Sequence, residues 1–563
     1  MSRPPAPAPS APAPTRTVRL RPWQRRALDA LLASDEPDFL AVATPGAGKT
    51  TFALTAARLL LPQLGGRLVV VAPTRHLKQQ WADAAERFGL HLDTEWAPGQ
   101  RLPADLAGVV TTYQQVAASA TDVQTLARGG MAVLDEVHHA GDDLAWGDGV
   151  SIGLGSAARR LALSGPPFRS DTAAIPFLRY VGGQVRPDVE YGYGDALGEG
   201  GVVRPVYFPR FGGHMEWTSA DGSELSASFD DTLNRSLANQ RLRAALSLDG
   251  EWLPAVLGQA NRQLNEIRTR RPDAGGLVIS SDQDHARGIA RMLRDRFGVR
   301  RPTVAVSEDA DASAKIARFA AGHDPWIVAV RMVSEGVDIP RLRIGVHATT
   351  TTTELFFRQA VGRIVRHTGD RDRAYLFVPD DPRLRHHADR IAESRRHHLH
   401  KDSTHDDRTD DDRDTTERPE RDGDQLSLFT VHSATATDTD TNADIFARFD
   451  EPELPLGHPA SDDLRDLEID LTSLPPVTRV EAGGRRGGGR ADRERQRRLN
   501  TTLVRDLAGL TGLDHAKINA ELNRRSGVSR VAEATVAQLE KRARTASDWI
   551  AAEQRRRSVR RSG

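Results

Sequence analysis

An eight-residue loop, Ala43–Thr50, has the residue types that bind phosphate. It follows an apolar run, Phe39–Val42, that predicts a strand, and it leads into a run that predicts a helix. Glycines at positions 46 and 48 would let backbone N–H groups surround an oxyanion, and a helix start adds unpaired donors. Lys49 could reach the terminal phosphates, and the Thr50 hydroxyl could hold Mg²⁺. The alternative is a plain glycine-rich turn, since Ala43 stands where the strict pattern has glycine.

Two adjacent carboxylates, Asp135 and Glu136, follow another apolar run, Met131–Leu134. An acid at the tip of a buried strand near a phosphate loop can hold Mg²⁺ through water, and its neighbour can orient and deprotonate an attacking water. A surface turn with two acids is the alternative. His138 and His139 could be metal ligands, but adjacent histidines point in divergent directions. We therefore expect His138 to link the nucleotide to a nucleic-acid groove by hydrogen bonds.

Two arginines three residues apart, Arg363 and Arg366, accompany a predicted helix over Glu354–Val365 and would share one helical face. Guanidinium groups aimed together suit a phosphoryl group in transfer. The alternative is a solvated basic helix face. Near the amino terminus, the side-chain amide of Gln24 could contact an adenine edge, unless its segment is an ordinary first helix.

The elements that would position these side chains are buried strands alternating with helical spacers. This alternation predicts βα units with parallel sheets, whose chemistry gathers beyond the carboxyl ends of the strands. The remaining predicted strands are Leu68–Ala72, Gly108–Tyr113, Leu161–Gly165, Gly276–Ser280, Thr303–Val306, Trp326–Val330, Arg343–His347 and Ala374–Val378.

The chain has 563 residues, enough for three or four domains, and no cysteine. The missing cysteines exclude disulfides and thiolate zinc sites. No apolar run approaches the ~18–20 residues needed to span a bilayer, and the Pro/Ala-rich residues 4–14 lack the apolar core of a secretory signal. We therefore expect a soluble, cytoplasmic protein with no membrane partner.

Charge is unevenly distributed although the formal net charge is zero. Residues 401–470 contain 22 Asp and Glu against 7 Lys and Arg, a composition that predicts a disordered linker. Residues 479–563 contain 21 Lys and Arg against 10 Asp and Glu, with apolar spacing typical of a small helical module. This module could anchor nucleic acid, or it could dock a protein partner or a second copy of the chain.

Eight blocks in order resemble the motifs of the superfamily-two helicases and translocases, in the DEAD/DEAH-box-like branch of the restriction-enzyme Res subunit. The resemblance covers about residues 18–380, and the carboxyl-terminal module is similar to tails on helicases of actinobacteria and their phages. In one departure, Pro166 replaces a threonine that helps couple hydrolysis to movement in the family. The blocks are Leu20–Gln24, Ala43–Thr50, Pro73–Arg75, Thr111–Tyr113, Asp135–His138, Ser164–Pro166, Ser334–Asp338 and Gln359–Arg366.

The resemblance implies that ATP and Mg²⁺ are held between two RecA-like lobes. Mg²⁺ would be held by Thr50 and Asp135, and coupling would use His138 and Ser164. The catalytic residues would be Glu136, Lys49, Gln359, Arg363 and Arg366. The nucleotide would contact Gln24, Thr44, Pro45, Gly46, Ala47, Gly48, Lys49, Thr50, Thr51, Gly336 and Asp338. The nucleic-acid path would be lined by Pro73, Thr74, Arg75, Thr111 and Thr112.

The predicted fold is α/β, with two tandem RecA-like domains with parallel sheets, a disordered acidic linker and a small basic α-helical C-terminal module. The predicted function is an ATP-dependent helicase or translocase acting on DNA more than on RNA, a preference that rests on the resemblance alone. The alternative is an ATP-gated DNA clamp or remodeller in a restriction or phage-defence assembly. The predicted boundaries are a disordered tail (1–17), lobe one (18–210), a connector (211–250), lobe two (251–400), the linker (401–478) and the basic module (479–563).

Overall fold

A computed structural model of the chain describes most of both lobes and the carboxyl-terminal helices. The described residues are 17–138, 144–165, 175–182, 184–199, 202–219, 221–306, 309, 311–330, 339–366, 373–399, 430–438, 467–477 and 490–562.

The strands include one for each apolar run that predicts a strand, with ends within two residues of that run, and others that the sequence does not predict. They are β1 (Thr17–Leu20), β2 (Asp38–Ala43), β3 (Leu68–Ala72), β4 (Leu92–Asp93), β5 (Gly108–Thr112), β6 (Met131–Leu134), β7 (Arg159–Ser164), β8 (Tyr180–Val181), β9 (Gln184–Val185), β10 (Val189–Tyr191), β11 (Val206–Tyr207), β12 (Arg210–Thr218), β13 (Glu224–Ser228), β14 (Gly275–Ser280), β15 (Thr303–Ala305), β16 (Trp326–Val330), β17 (Leu342–Ala348), β18 (Ala374–Pro379), β19 (Thr430–Asp438) and β20 (Leu467–Asp470).

Helices separate most of the strands and cover both faces of the two large sheets. They are α1 (Pro22–Ala33), α2 (Lys49–Leu64), α3 (Arg75–Arg87), α4 (Tyr113–Ala118), α5 (Ala120–Ala127), α6 (Leu144–Leu154), α7 (Tyr193–Glu199), α8 (Arg235–Ala245), α9 (Trp252–Arg270), α10 (Gln283–Phe297), α11 (Ala312–Ala321), α12 (Glu354–Ile364), α13 (Pro382–Leu399), α14 (Arg490–Thr511), α15 (His515–Ser526) and α16 (Val536–Ser562).

Lobe one is a parallel sheet with the strand order β10-β2-β7-β6-β3-β5-β4. Strand β3 shows why the sheet is covered on both sides. Leu68 and Val70 belong to one apolar cluster, whereas Val69 and Val71 belong to another on the opposite face. A continuous apolar run is therefore required, as the sequence predicts for a parallel sheet.

Lobe two is a second sheet with the order β13-β12-β18-β17-β14-β16-β15. The strands from β18 to β15 are parallel, whereas β12 pairs antiparallel with β13 and β19. Two parallel-sheet lobes of RecA-like type and a helical carboxyl-terminal region confirm the predicted fold class. Among the described residues, none of the helices combines the length and the apolar character needed to cross a membrane.

The connector predicted for residues 211–250 is wrong, because this segment belongs to lobe two. Strand β12 extends the sheet beside β18, and α8 packs on it. Met215 and Trp217 are buried, whereas His214 and Glu216 are exposed, which is the two-residue period of a half-buried strand.

Two pieces of the predicted acidic linker are ordered strands. Strand β19 pairs with β12 of lobe two, and β20 pairs with β1 of lobe one. Average composition predicts no core for residues 401–478, but short runs such as Thr430–Asp438, in which Thr recurs, still fit a sheet edge. Residues 401–429 and 439–466, like residues 1–16 of the predicted tail (1–17), lie outside the described residues.

The carboxyl-terminal module is a set of helices, α14, α15 and α16, docked on lobe one. Buried Arg493 of α14 forms an ion pair with Asp105, which precedes β5. The other carboxylate oxygen of Asp105 accepts a hydrogen bond from the N–H of Val536, at the start of α16, at 2.9 Å. A carboxylate at a helix amino terminus is stabilising, so one aspartate both pairs with the module and caps it.

A buried arginine holds the module together from within. The Arg542 guanidinium donates to the side-chain oxygens of Asn500, Asn519 and Asn523 at 2.9, 2.5 and 2.9 Å. These neutral partners satisfy donors that would be costly to bury alone. They join α16 to both other helices of the module.

The two lobes are in contact through a shared apolar core. One continuous cluster includes Phe52 and Tyr191 of lobe one and Phe357 and Leu376 of lobe two. The chain between the lobes adds polar contacts, because the N–H of Arg204 donates to the carbonyl of Val365 at 2.7 Å. The end of α12 is thereby held beside lobe one.

Candidate nucleotide site between the lobes

The phosphate loop adopts a backbone that its glycines allow. Gly46 and Gly48 have φ angles of 84° and 89°, in the left-handed region where a Cβ is strained. Ala43 is the last residue of β2 and is not among the described residues with positive φ. Alanine therefore fits at a position where the strict pattern has glycine, because this backbone does not need glycine there.

Three side chains that follow β1 contact the outside of the phosphate loop. We call these residues, Arg21, Trp23 and Gln24, the collar. Arg21 donates to the carbonyl of Gly46 at 3.0 Å, and the Trp23 indole donates to that of Ala47 at 3.0 Å. Trp23 also stacks on Tyr191, with ring centroids 5.2 Å apart. The collar therefore binds the carbonyl groups of the loop, whereas the N–H groups of Thr44 and Ala47 donate to the carbonyls of Tyr191 and Thr44.

Gln24 completes the collar and does not have its amide available for adenine in this structure. Its Nε2 donates to the carbonyl of Gly48 at 2.9 Å, and its Oε1 accepts from the N–H of Arg21 at 2.8 Å. The predicted adenine contact would require these bonds to be exchanged. Thr44 is held from the other side, by donation of its N–H to the carbonyl of Tyr191 at 2.9 Å.

The predicted charged residues meet beside the start of α2. The Lys49 ammonium lies 3.1 Å from Glu136 Oε1 and donates to the carbonyl of Ala43 at 3.3 Å. The N–H of Gly165, at the tip of β7, donates to Glu136 Oε2 at 3.0 Å. Glu136 has a φ of 47°, a strained value for a residue with a side chain, which is held by these contacts.

The two carboxylates have opposite protonation tendencies. Burial and the neighbouring charge of Glu136 raise the pKa of Asp135 to about 6, although Trp81 donates to its Oδ2 at 2.7 Å. Burial works against ionisation of Glu136, but Lys49 and then His138 outweigh it and lower its pKa to about 2. The ion pair with Lys49 therefore keeps Glu136 ionised.

The predicted coupling residues are also in contact. His138 Nδ1 lies 3.4 Å from Ser164 Oγ and 3.7 Å from Glu136 Oε2. The tips of β6 and β7 are thus joined through the histidine. Residues His139 and Pro166 lie outside the described residues.

The residue types fit Mg²⁺, although they form no cage by themselves. Thr50 lies in the first turn of α2 and Asp135 is at the tip of β6, and both offer the hard oxygen ligands that Mg²⁺ takes. Among the described residues there is no cluster of three His, Asp or Glu side chains suited to a metal. Mg²⁺ usually takes one or two protein oxygens and completes its shell with phosphates and water.

Lobe two brings α12 against the phosphate loop. A Cβ built on Gly362 would lie 2.4 Å from Pro45 Cγ, and one built on Gly46 would lie 3.4 Å from Arg366 Cγ. The helix ends at Ile364, so Arg366 lies beyond it and not on a helical face shared with Arg363. Its backbone instead forms an antiparallel bridge with Val203.

The residues predicted for the nucleic-acid path lie at the adjacent tips of β3 and β5. Thr74 caps α3 and Thr112 caps α4, by accepting from N–H groups at 3.4 and 3.2 Å. Pro73 is half-buried and Arg75 is exposed. Thr111 does not fit the prediction, because it is only 1% exposed and its side chain faces the interior.

Other predicted residues take less direct positions. Gln359 is half-buried on α12, and Thr51 lies in the first turn of α2. Gly336 and Asp338 lie outside the described residues. Sequence reasoning missed Trp81 as a partner of Asp135, because a tryptophan on a helix 54 positions away carries no local signal.

Comparison with known proteins relates part of lobe one to a described family. Residues 17–169 match the family model described as the type III restriction enzyme res subunit. Residues 17–169 therefore form a superfamily-two helicase-like domain of the Res-type branch.

The whole chain belongs to the same family as a group of mycobacterial proteins. It is 40% identical over 557 residues to "Uncharacterized protein MT2985" of Mycobacterium tuberculosis. The alignment covers 93% of this chain and 91% of that protein. It is 40% identical over 559 residues to "Uncharacterized protein ML1624" of Mycobacterium leprae, with coverages of 93% and 92%.

Solved structures with a similar arrangement include two that differ widely in sequence. One is a fragment of a putative HsdR subunit of a type I restriction enzyme from Vibrio vulnificus YJ016, with 17% identity, a TM-score of 0.45, and coverage of 66% of this chain and 65% of that chain. The other is S. cerevisiae Dbp5 bound to RNA and ADP BeF3, with 14% identity, a TM-score of 0.41, and coverages of 66% and 87%.

Proposed function

We propose that this chain is an ATP-driven nucleic-acid motor that hydrolyses ATP between its lobes and moves along or unwinds DNA. One observation supports this function above the others. The loop that carries Lys49 is in contact with the arginine-bearing end of α12, at the Gly46–Arg366 and Pro45–Gly362 approaches. A cradle and an arginine supplied from opposite lobes make hydrolysis depend on lobe closure.

Phosphate binding would use Lys49 and the amides of the loop, while Thr50 and Asp135 would hold Mg²⁺. The metal neutralises charge on the phosphates. Lys49 forms an ion pair with Glu136 in this structure. Phosphate oxygens would compete with Glu136 for the Lys49 ammonium. When Lys49 turns to a phosphate, Glu136 loses the charge that lowers its pKa and becomes a better base for water.

The arginines of lobe two would complete the site on closure. Arg363 and Arg366 would stabilise charge on the phosphoryl group in transfer, and Gln359 would orient the water. His138 and Ser164 would couple the hydrogen bonding of Glu136 to the position of the strand tips that face nucleic acid. Gly336 and Asp338 would couple the lobes, as the family resemblance implies.

Nucleic acid would lie across the tips of β3 and β5. Residues Ala72 and Thr112 are paired in register, so the amino termini of α3 and α4 lie side by side. Helix amino termini bind phosphate oxygens through their unpaired N–H groups. Exposed Arg75 adds a positive charge, and such backbone contacts give salt-dependent binding to either DNA or RNA, with DNA as our proposal.

The test is ATP hydrolysis by Glu136→Gln with single-stranded DNA, double-stranded DNA or RNA at one stated salt concentration. Losing the base should lower turnover by about 10²- to 10⁴-fold, and the variant should still bind ATP. Glu224→Gln, on an exposed position of β13, is the matched control and should keep wild-type turnover. Robust turnover by Glu136→Gln would refute the proposed role of this residue.

A clamp or remodeller without strand separation is the second candidate. The observation that favours it is the apolar core shared by both lobes, which limits how far they separate. Strand-displacement and triplex-displacement assays distinguish the two functions. A translocase displaces a triplex strand even when it unwinds no duplex, whereas a static clamp does neither.

A further inference from the structure

Residues 467–477, which we call the strap, follow lobe two in the sequence and contact β1 and α2 of lobe one. The strand within the strap, β20, pairs antiparallel with β1, in a register that joins Thr17 to Asp470 and Leu20 to Leu467. These two strands form a sheet of their own, so in the described part of the chain β1 has no other strand partner.

A buried arginine fastens the strap to lobe one. Arg58 of α2 is only 6% exposed, and its guanidinium donates to the carbonyls of Leu471, Leu474 and Pro475 at 3.4, 3.0 and 2.6 Å. A guanidinium buried without partners would be costly, so the three carbonyls are part of what makes this position tolerable. Leu471 is itself buried in the core that contains α1 and α2.

The strap contacts two elements next to the phosphate loop, β1 and α2. Strand β1 leads directly into the collar (Arg21, Trp23 and Gln24), whose donors hold the loop carbonyls. Helix α2, which carries Arg58, begins at Lys49, immediately after the loop. A displacement of the strap would therefore free β1, which immediately precedes the collar, and would break the hydrogen bonds of Arg58.

We propose that the strap is a structural part of the nucleotide site and that Arg58 is a positioning residue for it. The inference rests on the proposed function, since it assigns to the strap the placement of the collar for ATP binding. The strap follows lobe two in the sequence. Nucleotide affinity in lobe one therefore depends on residues that come after lobe two.

The test uses two full-length variants that loosen the strap from opposite sides. Arg58→Met keeps the aliphatic stem and removes the three hydrogen bonds, and Leu471→Ala removes the buried anchor of the strap. Both should speed hydrogen exchange at residues 17–24, with the amides of β14 as an unchanged internal reference. Arg58→Lys, which can still donate to a carbonyl, should exchange at an intermediate rate.

Nucleotide measurements then separate positioning from general destabilisation. In both variants the KM for ATP and the Kd of a fluorescent ATP analogue should rise about tenfold, which corresponds to 1.4 kcal/mol, with kcat little changed. Unfolding of part of the population would instead lower apparent kcat at constant KM. Arg287→Met, an exposed arginine of α10, is the control and should match the wild type.

The exchange experiment needs no nucleotide, so it tests whether the strap holds the collar in place even if the wild-type chain fails to hydrolyse ATP. Unchanged exchange at residues 17–24 in both folded variants would overturn the proposal. Faster exchange there with an unchanged Kd for nucleotide would also overturn it, because the collar would then not determine affinity.

Discussion

Gly362→Ala should separate the two lobes while leaving each of them intact. A Cβ at this position would lie 2.4 Å from Pro45 Cγ and 2.6 Å from Pro45 Cβ, whereas ordinary contacts begin near 3.4 Å. The atoms must therefore move apart by about 1 Å, and overpacking of this size costs about 1–3 kcal/mol. The cost applies only to the closed arrangement, so it should shift the closed population by about 5- to 150-fold.

The same substitution should not destabilise the fold, because alanine is favoured over glycine within a helix by about 1 kcal/mol. The expected combination is an unchanged or higher Tm together with an ATPase rate lowered about 5- to 150-fold. Gly509→Ala in α14 is the matched control, since a Cβ there meets nothing within 4 Å. It should gain the same helix stability and keep full activity.

Lobe separation can be measured directly because the chain contains no cysteine. Cysteines introduced at exposed Asp29 and Asp284 would carry a donor and an acceptor dye on opposite lobes. Gly362→Ala should lower transfer efficiency in the presence of a non-hydrolysable ATP analogue. Wild-type transfer together with wild-type turnover would refute the view that this contact controls closure.

Two further predictions concern stability and docking. Burial lowers the pKa of His347 to about 4 from 6.5, so the unfolded state binds more protons and stability should be lost as pH falls from 6.5 towards 4, by up to about 3 kcal/mol. His347→Leu should lack this component, and a parallel decline in urea midpoint for both proteins would contradict it. Asp105→Asn should weaken the ion pair with Arg493 and the cap on Val536, so that α16 becomes more sensitive to proteolysis while ATP hydrolysis without nucleic acid is unchanged. Equal protease sensitivity of variant and wild type would show that Asp105 does not dock the module.

The parallel sheets could be predicted because burial on both faces leaves continuous apolar runs, such as Leu68–Ala72, that need no distant information. The antiparallel part of lobe two could not be predicted in the same way. Strand β12 finds its partner β19 more than 200 residues later, within a segment whose average composition indicates disorder. A strand at a sheet edge needs only a short run of suitable residues, which composition does not reveal.

The candidate site divides in a similar way. Residue types and spacing were enough to select Lys49, Asp135 and Glu136, and the structure brings these side chains together beside the start of α2. The helical face expected for the two arginines was wrong, because α12 ends before Arg366, whose backbone pairs with that of Val203 instead. The choice between continuing a helix and joining a bridge depends on a neighbour from elsewhere in the chain.

The amino-acid sequence by itself determined which residues form the candidate site and the local backbone that presents them. Glycine at 46 and 48 permits the left-handed turns, and the strand and helix on either side follow from short-range burial patterns. Only the tertiary structure decided what surrounds the loop: the outward bonds to the collar, the pairing of β1 with β20, and the hold of Arg58 on the strap. These contacts end on backbone carbonyls and N–H groups, which every residue carries, so no side-chain pattern in the sequence marks where they will form.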